Sequence, residues 1–153
     1  MISRPLYIEE IKNFINKPQI KIITGIRRSG KSTVLSLLKQ ELLNMGIEQH
    51  RIIQMNFESF SYSELLDARS FYVHIKEKIQ QSQRYNLLLD EIQEVENWEK
   101  AVNSILVDFD VDIYLTGSNS HLLSSELATF LAGRYVEIPI YTISYKEFLD
   151  FRQ

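Results

Sequence analysis

The sequence predicts an α/β fold in which a mostly parallel β-sheet is covered by helices on both faces. Two observations lead there. Short aliphatic runs alternate with longer amphipathic stretches along the chain, the order that builds parallel sheets from strand–helix–strand units. The first strand candidate, Ile20–Thr24, is nearly all aliphatic, as expected of a strand with helices on both sides. No internal repeat, low-complexity tract or Gly/Ser linker interrupts the 153 residues, so residues 1–153 read as one domain, long enough for a core of its own.

The elements follow in order. An opening helix is expected over residues 7–16, with Ile8, Ile11, Phe14 and Ile15 on one face, and Pro18 stops it. Strand 20–24 leads to a helix over 31–44 that buries Val34, Leu35, Leu37, Leu38, Leu42 and Leu43, with Gly46 near its end. A second strand is expected over 51–56, a helical stretch over 63–81 with 70–73 ambiguous, and a third strand over 86–90. A helix over 94–106, a strand over 111–116, a helix over 122–131, a fifth strand over 135–140 and a closing helical turn over 144–151 complete the reading.

Composition removes several classes of function. There is no cysteine, so disulfide scaffolds, thiolate metal sites and cysteine nucleophiles are excluded. His50, His74 and His121 show no metal-ligand spacing. No apolar run approaches the roughly 18–20 residues needed to cross a bilayer, and the first residues lack the apolar core of a signal peptide. A cytoplasmic protein with no membrane partner is the expectation. The net charge of −3 gives no support for a broad basic nucleic-acid surface.

The segment Gly25-Ile26-Arg27-Arg28-Ser29-Gly30-Lys31-Ser32 matches G-x-x-x-x-G-K-[ST] at every fixed position. The glycines allow turns closed to other residues and let backbone N–H groups approach phosphate oxygens. The loop ends at a helix N-terminus, where free N–H groups and the helix dipole favour an anion. Lys31 is expected to reach the β- and γ-phosphates and Ser32 to offer its hydroxyl to Mg²⁺; Thr33 follows in the same first turn. Its placement between an aliphatic strand and an amphipathic helix makes this a phosphate-binding loop. Arg27 and Arg28 stay open between contacting phosphate, contacting a neighbouring subunit, and being solvated.

The strand Asn86-Leu87-Leu88-Leu89 ends in Asp90 and Glu91. Alone, that is a common strand end followed by an acidic helix start. After a phosphate loop it assigns Asp90 to hold Mg²⁺ through its water shell and Glu91 to orient and deprotonate a water. The fourth strand also ends in small polar residues, Thr116-Gly117-Ser118-Asn119, and strand tips of a parallel sheet line the binding crevice. Ser118 or Asn119 is the candidate contact to the γ-phosphate or the water, although Asn119 equally suits a helix N-cap. Arg134, after Gly133, is the candidate to neutralise charge on a transferring phosphoryl group of another subunit. Asn56-Phe57-Glu58 and Trp98 read as ordinary structural residues.

With these stations in place the chain resembles the AAA-type ATPases, in which an extra strand separates the phosphate-loop strand from the acidic-pair strand. More narrowly it is similar to the archaeal and bacterial ATPase family whose AAA domain precedes a domain of unknown function. The resemblance is carried by residues 25–32, Leu87-Leu-Leu-Asp-Glu91, Leu115-Thr-Gly-Ser-Asn-Ser120, Leu131-Ala-Gly-Arg-Tyr-Val-Glu-Ile138 and Ser144-Tyr-Lys-Glu-Phe-Leu149. It implies a three-layer αβα P-loop NTPase fold with a five-stranded sheet of order 5-1-4-3-2, ATP as nucleotide, sensor chemistry near Ser118 or Asn119, and Arg134 where related ATPases carry a finger. It also leads to the expectation of a C-terminal region, which does not lie within these residues, and of weak activity in the isolated domain. A homo-oligomer formed through Arg134 and a protein or DNA partner are left open. The expected chemistry is Mg-dependent ATP hydrolysis to ADP and phosphate. The alternative is a nucleotide-operated switch with little turnover.

Overall fold

The computed structural model describes residues 5–26, 29–80, 82–117 and 133–141. Five parallel strands, β1 (Ile20–Thr24), β2 (Ile52–Asn56), β3 (Tyr85–Asp90), β4 (Val111–Gly117) and β5 (Tyr135–Pro139), form one sheet of order β2-β3-β4-β1-β5. This is the predicted 5-1-4-3-2 order. Every pairing is parallel, so all strands point their C-terminal ends to the same edge.

Helices lie on both faces because the strands alternate two sets of buried apolar residues. Ile20, Ile22, Leu87, Leu89, Ile113 and Leu115 pack with α3 (Ala68–Lys78) and α4 (Trp98–Asp108), through Phe71, Ile75, Val102 and Ile105. Ile23, Leu88, Tyr114 and Ile138 pack with α1 (Pro5–Lys12) and α2 (Lys31–Asn44), through Ile11, Val34, Leu35, Leu38 and Leu42. Each fully buried aliphatic side chain contributes about 1.5–3 kcal/mol relative to exposure. These two cores hold the sheet rigid under the loops at its C-terminal edge.

The boundaries depart from expectation where a local backbone device intervenes. The opening helix ends at Lys12 instead of residue 16: four tighter i→i−3 bonds follow it, and Asn16 then turns the chain at φ 64. Its N–H donates to Asp112 Oδ2 at 2.9 Å. The stretch read as one helix over 63–81 is split, a 3₁₀ segment at Phe60–Leu65 preceding α3. Asp67 makes the division, extended in backbone, capping α3 through Oδ1 on the Ser70 N–H at 2.9 Å. Likewise α4 starts at Trp98 and not at residue 94, because Asn97 at φ 56 separates it from a 3₁₀ turn at Ile92–Glu94. α2 ends as expected: Gly46 at φ 92 and Ile47 return their N–H groups to Leu43 and Leu42, a Schellman closure. The helices expected over 122–131 and 144–151 lie outside the described residues.

One feature of the sheet was not anticipated. Lys21 of β1 and Asp112 of β4 form an ion pair at 0% and 1% exposure. Lys21 also donates to the Lys17 carbonyl at 2.7 Å, and the Tyr114 hydroxyl donates to Asp112 Oδ2 at 2.7 Å. Burial lowers the Lys21 pKa against the opposing pull of Asp112, and raises that of Tyr114. The group ties the turn after α1 to the N-terminal end of the sheet.

Candidate active site

The loop after β1 is shaped by two glycines. A Cβ on Gly25 would stand 2.5 Å from Ser29 Oγ and 2.7 Å from the Ile140 carbonyl oxygen, closer than real Cβ contacts, so only glycine fits. Gly30 takes φ 98 as the N-cap of α2, a left-handed conformation that costs glycine little. The loop therefore leads straight into the helix N-terminus, and the N-cap glycine has no side chain with which to cap the first N–H groups of α2. That is the arrangement that binds a phosphate.

Lys31 is buried, and its Nζ donates to the carbonyls of Gly25 at 2.9 Å and Ile26 at 3.0 Å. Its ammonium is thus folded back across the loop it would share with a phosphate. Ser32, exposed on the first turn of α2, donates its hydroxyl to Asp90 Oδ2 at 2.5 Å. Asp90 is 3% exposed at the tip of β3. Thr33 is half-buried beside them. Glu91 follows at φ 55, and its Oε2 accepts from Gln93 Nε2 at 2.5 Å. Residues 25, 26, 29–33, 90 and 91 are thereby brought together at one edge of the sheet.

Other predicted residues fall elsewhere. Arg134 is exposed at the opposite edge: its carbonyl accepts from the Ile20 N–H at the start of β1, and its guanidinium donates to Asn103 Oδ1 at 2.5 Å. The length of β1, roughly 13 Å at strand rise, separates it from the phosphate loop of its own chain. Arg27, Arg28, Ser118 and Asn119 lie outside the described residues. Asn56 is used locally, its Oδ1 accepting the Glu58 N–H at 3.0 Å.

Two participants were missed in the sequence. Thr116, fully buried near the end of β4, donates to Asp90 Oδ1 and accepts the Glu91 N–H at 2.9 Å. Gln93 holds the Glu91 carboxylate. The signal for Thr116 was available, since an order with β4 between β1 and β3 puts a hydroxyl at the β4 tip next to Asp90. Gln93 gave none, because its approach depends on the left-handed backbone of Glu91.

The donors suit a hard divalent cation. Among the described residues no group of three or more His, Cys, Asp or Glu is placed to hold a metal; a single carboxylate stands with a hydroxyl beside a phosphate loop. Mg²⁺ takes such sites, since it keeps waters and phosphate oxygens and needs only one or two protein ligands. Among the described residues no helix is long and apolar enough to cross a membrane.

The parallel sheet, the glycine loop and the acidic strand tip define a P-loop nucleotide-binding fold. The AAA domain family matches residues 17–149, and the chain belongs to it. An uncharacterized protein of Haemophilus influenzae is 50% identical over 150 residues, spanning 97% of this chain and 38% of its own length. The uncharacterized protein MJ1544 of Methanocaldococcus jannaschii is 37% identical over 157 residues, spanning 99% and 32%. The chain thus spans about a third of the length of these curated relatives. Among solved structures, a DNA polymerase III gamma subunit-related protein of Thermotoga maritima superposes with a TM-score of 0.66 at 17% identity, covering 94% of this chain and 48% of that one. The AMPPCP-bound DnaA of Aquifex aeolicus does so at 0.55 and 18%, covering 95% and 47%. These two likenesses concern the fold. With the family they make this an AAA-type P-loop ATPase domain.

Proposed function

We propose that this domain binds Mg-ATP and hydrolyses it to ADP and phosphate, gating a conformational change in a longer cytoplasmic protein. The observation that carries the reading is the Ser32–Asp90 hydrogen bond of 2.5 Å. It joins the phosphate loop to the acidic strand and leaves a serine hydroxyl and a carboxylate converging where a cation would sit beside a phosphate. That one fold neighbour holds AMPPCP, an ATP analogue, supports the choice of nucleotide.

In this reading the loop amides of residues 25–30, with Arg27 and Arg28 among them, and the first turn through Thr33 cradle the phosphates. Lys31 exchanges its two loop carbonyls for phosphate oxygens, which concentrates positive charge where negative charge develops. Ser32 and Asp90 hold Mg²⁺, which when bound neutralises phosphate charge and orients the reacting group. Glu91 accepts a proton from the attacking water, and Ser118 or Asn119 contacts the γ-phosphate or that water. Arg134, too far from its own loop, serves the site of a neighbouring copy. Activity then depends on assembly, and any protein or DNA partner acts through the longer chain.

One observation favours a second reading, a nucleotide-operated switch with little turnover. The Glu91 carboxylate is engaged by Gln93 through Oε2 at 2.5 Å, which occupies one of its two oxygens and restricts how it can turn to a water. Phosphate release per protomer, measured over a range of protein concentrations with Glu91→Gln alongside, separates the two. Turnover that rises with concentration and vanishes in the variant is expected. Mg-ATP binding without turnover at any concentration would refute hydrolysis and leave the switch.

A further inference from the structure

Thr116 has no part in the assignment above, yet its hydroxyl sits between both acidic residues. Its Oγ1 donates to Asp90 Oδ1 and accepts the Glu91 N–H at 2.9 Å. The other Asp90 oxygen, Oδ2, accepts the Ser32 hydroxyl. The carboxylate is thus held at both ends, from β4 on one side and α2 on the other. A threonine hydroxyl has one proton and two lone pairs, and here the proton goes to one acidic residue and a lone pair to the next. β-Branching stiffens χ1, and at 0% exposure no solvent stands by to replace either bond.

We propose that Thr116 is a positioning residue for the cation: it fixes the rotation of the Asp90 carboxylate so that Oδ2 stays turned to Ser32, and pins the Glu91 backbone beside it. The proposal rests on the Mg-ATP reading of this site. Rotation of the Asp90 carboxylate breaks the Thr116 bond to Oδ1 and the Ser32 bond to Oδ2 together, so the β4 hydroxyl opposes the motion that would spoil the cation site. Thr116 lies two and three residues before Ser118 and Asn119 and acts on a carboxylate, a task separate from the phosphate or water contact assigned to those positions. Through it, any shift of the β4 tip reaches the metal-binding carboxylate and the backbone of the proposed base together.

The test is the Mg²⁺ dependence of equilibrium binding of a fluorescent ATP analogue, measured for the parent protein, Thr116→Val, Thr116→Ser and Asp90→Asn, and repeated in EDTA. Removing the hydroxyl with Thr116→Val is expected to raise the half-saturating Mg²⁺ concentration about 10–100-fold, the usual effect of deleting a residue that orients a metal ligand. Binding in EDTA, which depends on the loop amides and Lys31, is expected to be unchanged. Thr116→Ser keeps the hydroxyl and should restore most of the Mg²⁺ response. A Thr116→Val protein with the parent's Mg²⁺ dependence, beside an Asp90→Asn protein in which it is shifted, overturns the proposal and leaves the Mg-ATP reading intact. An unshifted Asp90→Asn overturns both. If Thr116→Val also loses binding in EDTA or does not fold, Thr116→Ala, which removes the hydroxyl without placing a second methyl beside Asp90, must show the shift. An Ala variant that folds without the shift, or that loses binding in EDTA, assigns Thr116 to the fold and overturns the proposal.

Discussion

Replacing Asp112 by alanine should destabilise the domain more than any other single change at the N-terminal edge of the sheet. The substitution leaves the Lys21 ammonium buried at 0% exposure with, among the described residues, one protein acceptor, the Lys17 carbonyl. Breaking a buried pair from one side costs about 3–5 kcal/mol. The Tyr114 hydroxyl and the Asn16 N–H lose their acceptor as well, at about 1–3 kcal/mol each where water cannot reach them. Asn16 is only part-buried and Lys21 keeps one bond, so we expect a total near the top of the first range, about 5 kcal/mol. For a chain of this size that corresponds to a fall in Tm of about 10–20 °C. Urea unfolding followed by fluorescence of Trp98, the one tryptophan and 5% exposed, reads it directly. The double change Lys21→Met with Asp112→Leu should recover the part of the loss that comes from the stranded charge, because replacing a buried pair by apolar residues of similar volume is often neutral, while the Tyr114 hydroxyl and the Asn16 N–H still lack their acceptor. A loss for Asp112→Ala below about 1 kcal/mol, or a double variant as unstable as the single, would refute the account of this network.

Three further outcomes are expected. Lys31→Met should weaken ATP binding about 10–100-fold, the worth of one to two charged hydrogen bonds, in isothermal titration; unchanged affinity would place the phosphates elsewhere. Arg134→Ala should leave nucleotide binding intact and abolish concentration-dependent turnover, a fall of about 10³-fold or more if it is a finger in trans; mixing it with Glu91→Gln should restore some activity by complementation. Burial lowers the His74 pKa from its ordinary value of 6.5, with Lys78 adding to the effect and Glu77 opposing it, and its Nε2 is buried with no hydrogen-bond partner among the described residues. The unfolded chain then binds more protons at acid pH, so stability falls as pH drops through and below 6.5. His74→Gln should flatten that limb in urea titrations at pH 5 and pH 7.5, and an unchanged limb would assign it to other groups.

How much of this was legible in the sequence depends on the range of the interaction that fixes each feature. Residues 25–32 could be read because the constraint is local: an aliphatic strand, two glycines with fixed backbone needs and a helix start are contiguous. Asp90 and Glu91 needed one further step, the knowledge that β3 ends at the same edge. The helix boundaries failed where a single residue overrode the periodicity, as Asp67 did by capping α3 and Asn97 by turning left-handed before α4. The amphipathic pattern runs on through both points and carries no mark of the break. Lys21 and Asp112 are 91 residues apart, and nothing at either position announces the other. A lysine inside an aliphatic strand was nonetheless a signal, since burial of its charge requires a partner.

That hidden pair bears on the site at the far edge of the sheet. Asp112, Tyr114 and Thr116 occupy alternate positions of β4 and so share one face, the face packed by α1 and α2, where Asn86, Leu88 and Asp90 of β3 also point. The first two meet Lys21 and the turn after α1; the third meets Asp90. In a strand buried on both faces, apolar residues fix the register poorly, because a slip by one residue exchanges one aliphatic surface for another. Polar residues do not permit the exchange: a slip would drive Asp112 and Thr116 into the apolar layer of Phe71, Ile75, Val102 and Ile105 without partners. The buried ion pair at one end of β4 therefore helps determine which hydroxyl stands beside the acidic pair at the other. It follows that the double variant Lys21→Met with Asp112→Leu, though folded, should loosen the register of β4 and raise the Mg²⁺ requirement for nucleotide binding in the same direction as Thr116→Val. A folded double variant with parental Mg²⁺ dependence would show that the apolar packing of β4 against β1 and β3 sets the register alone.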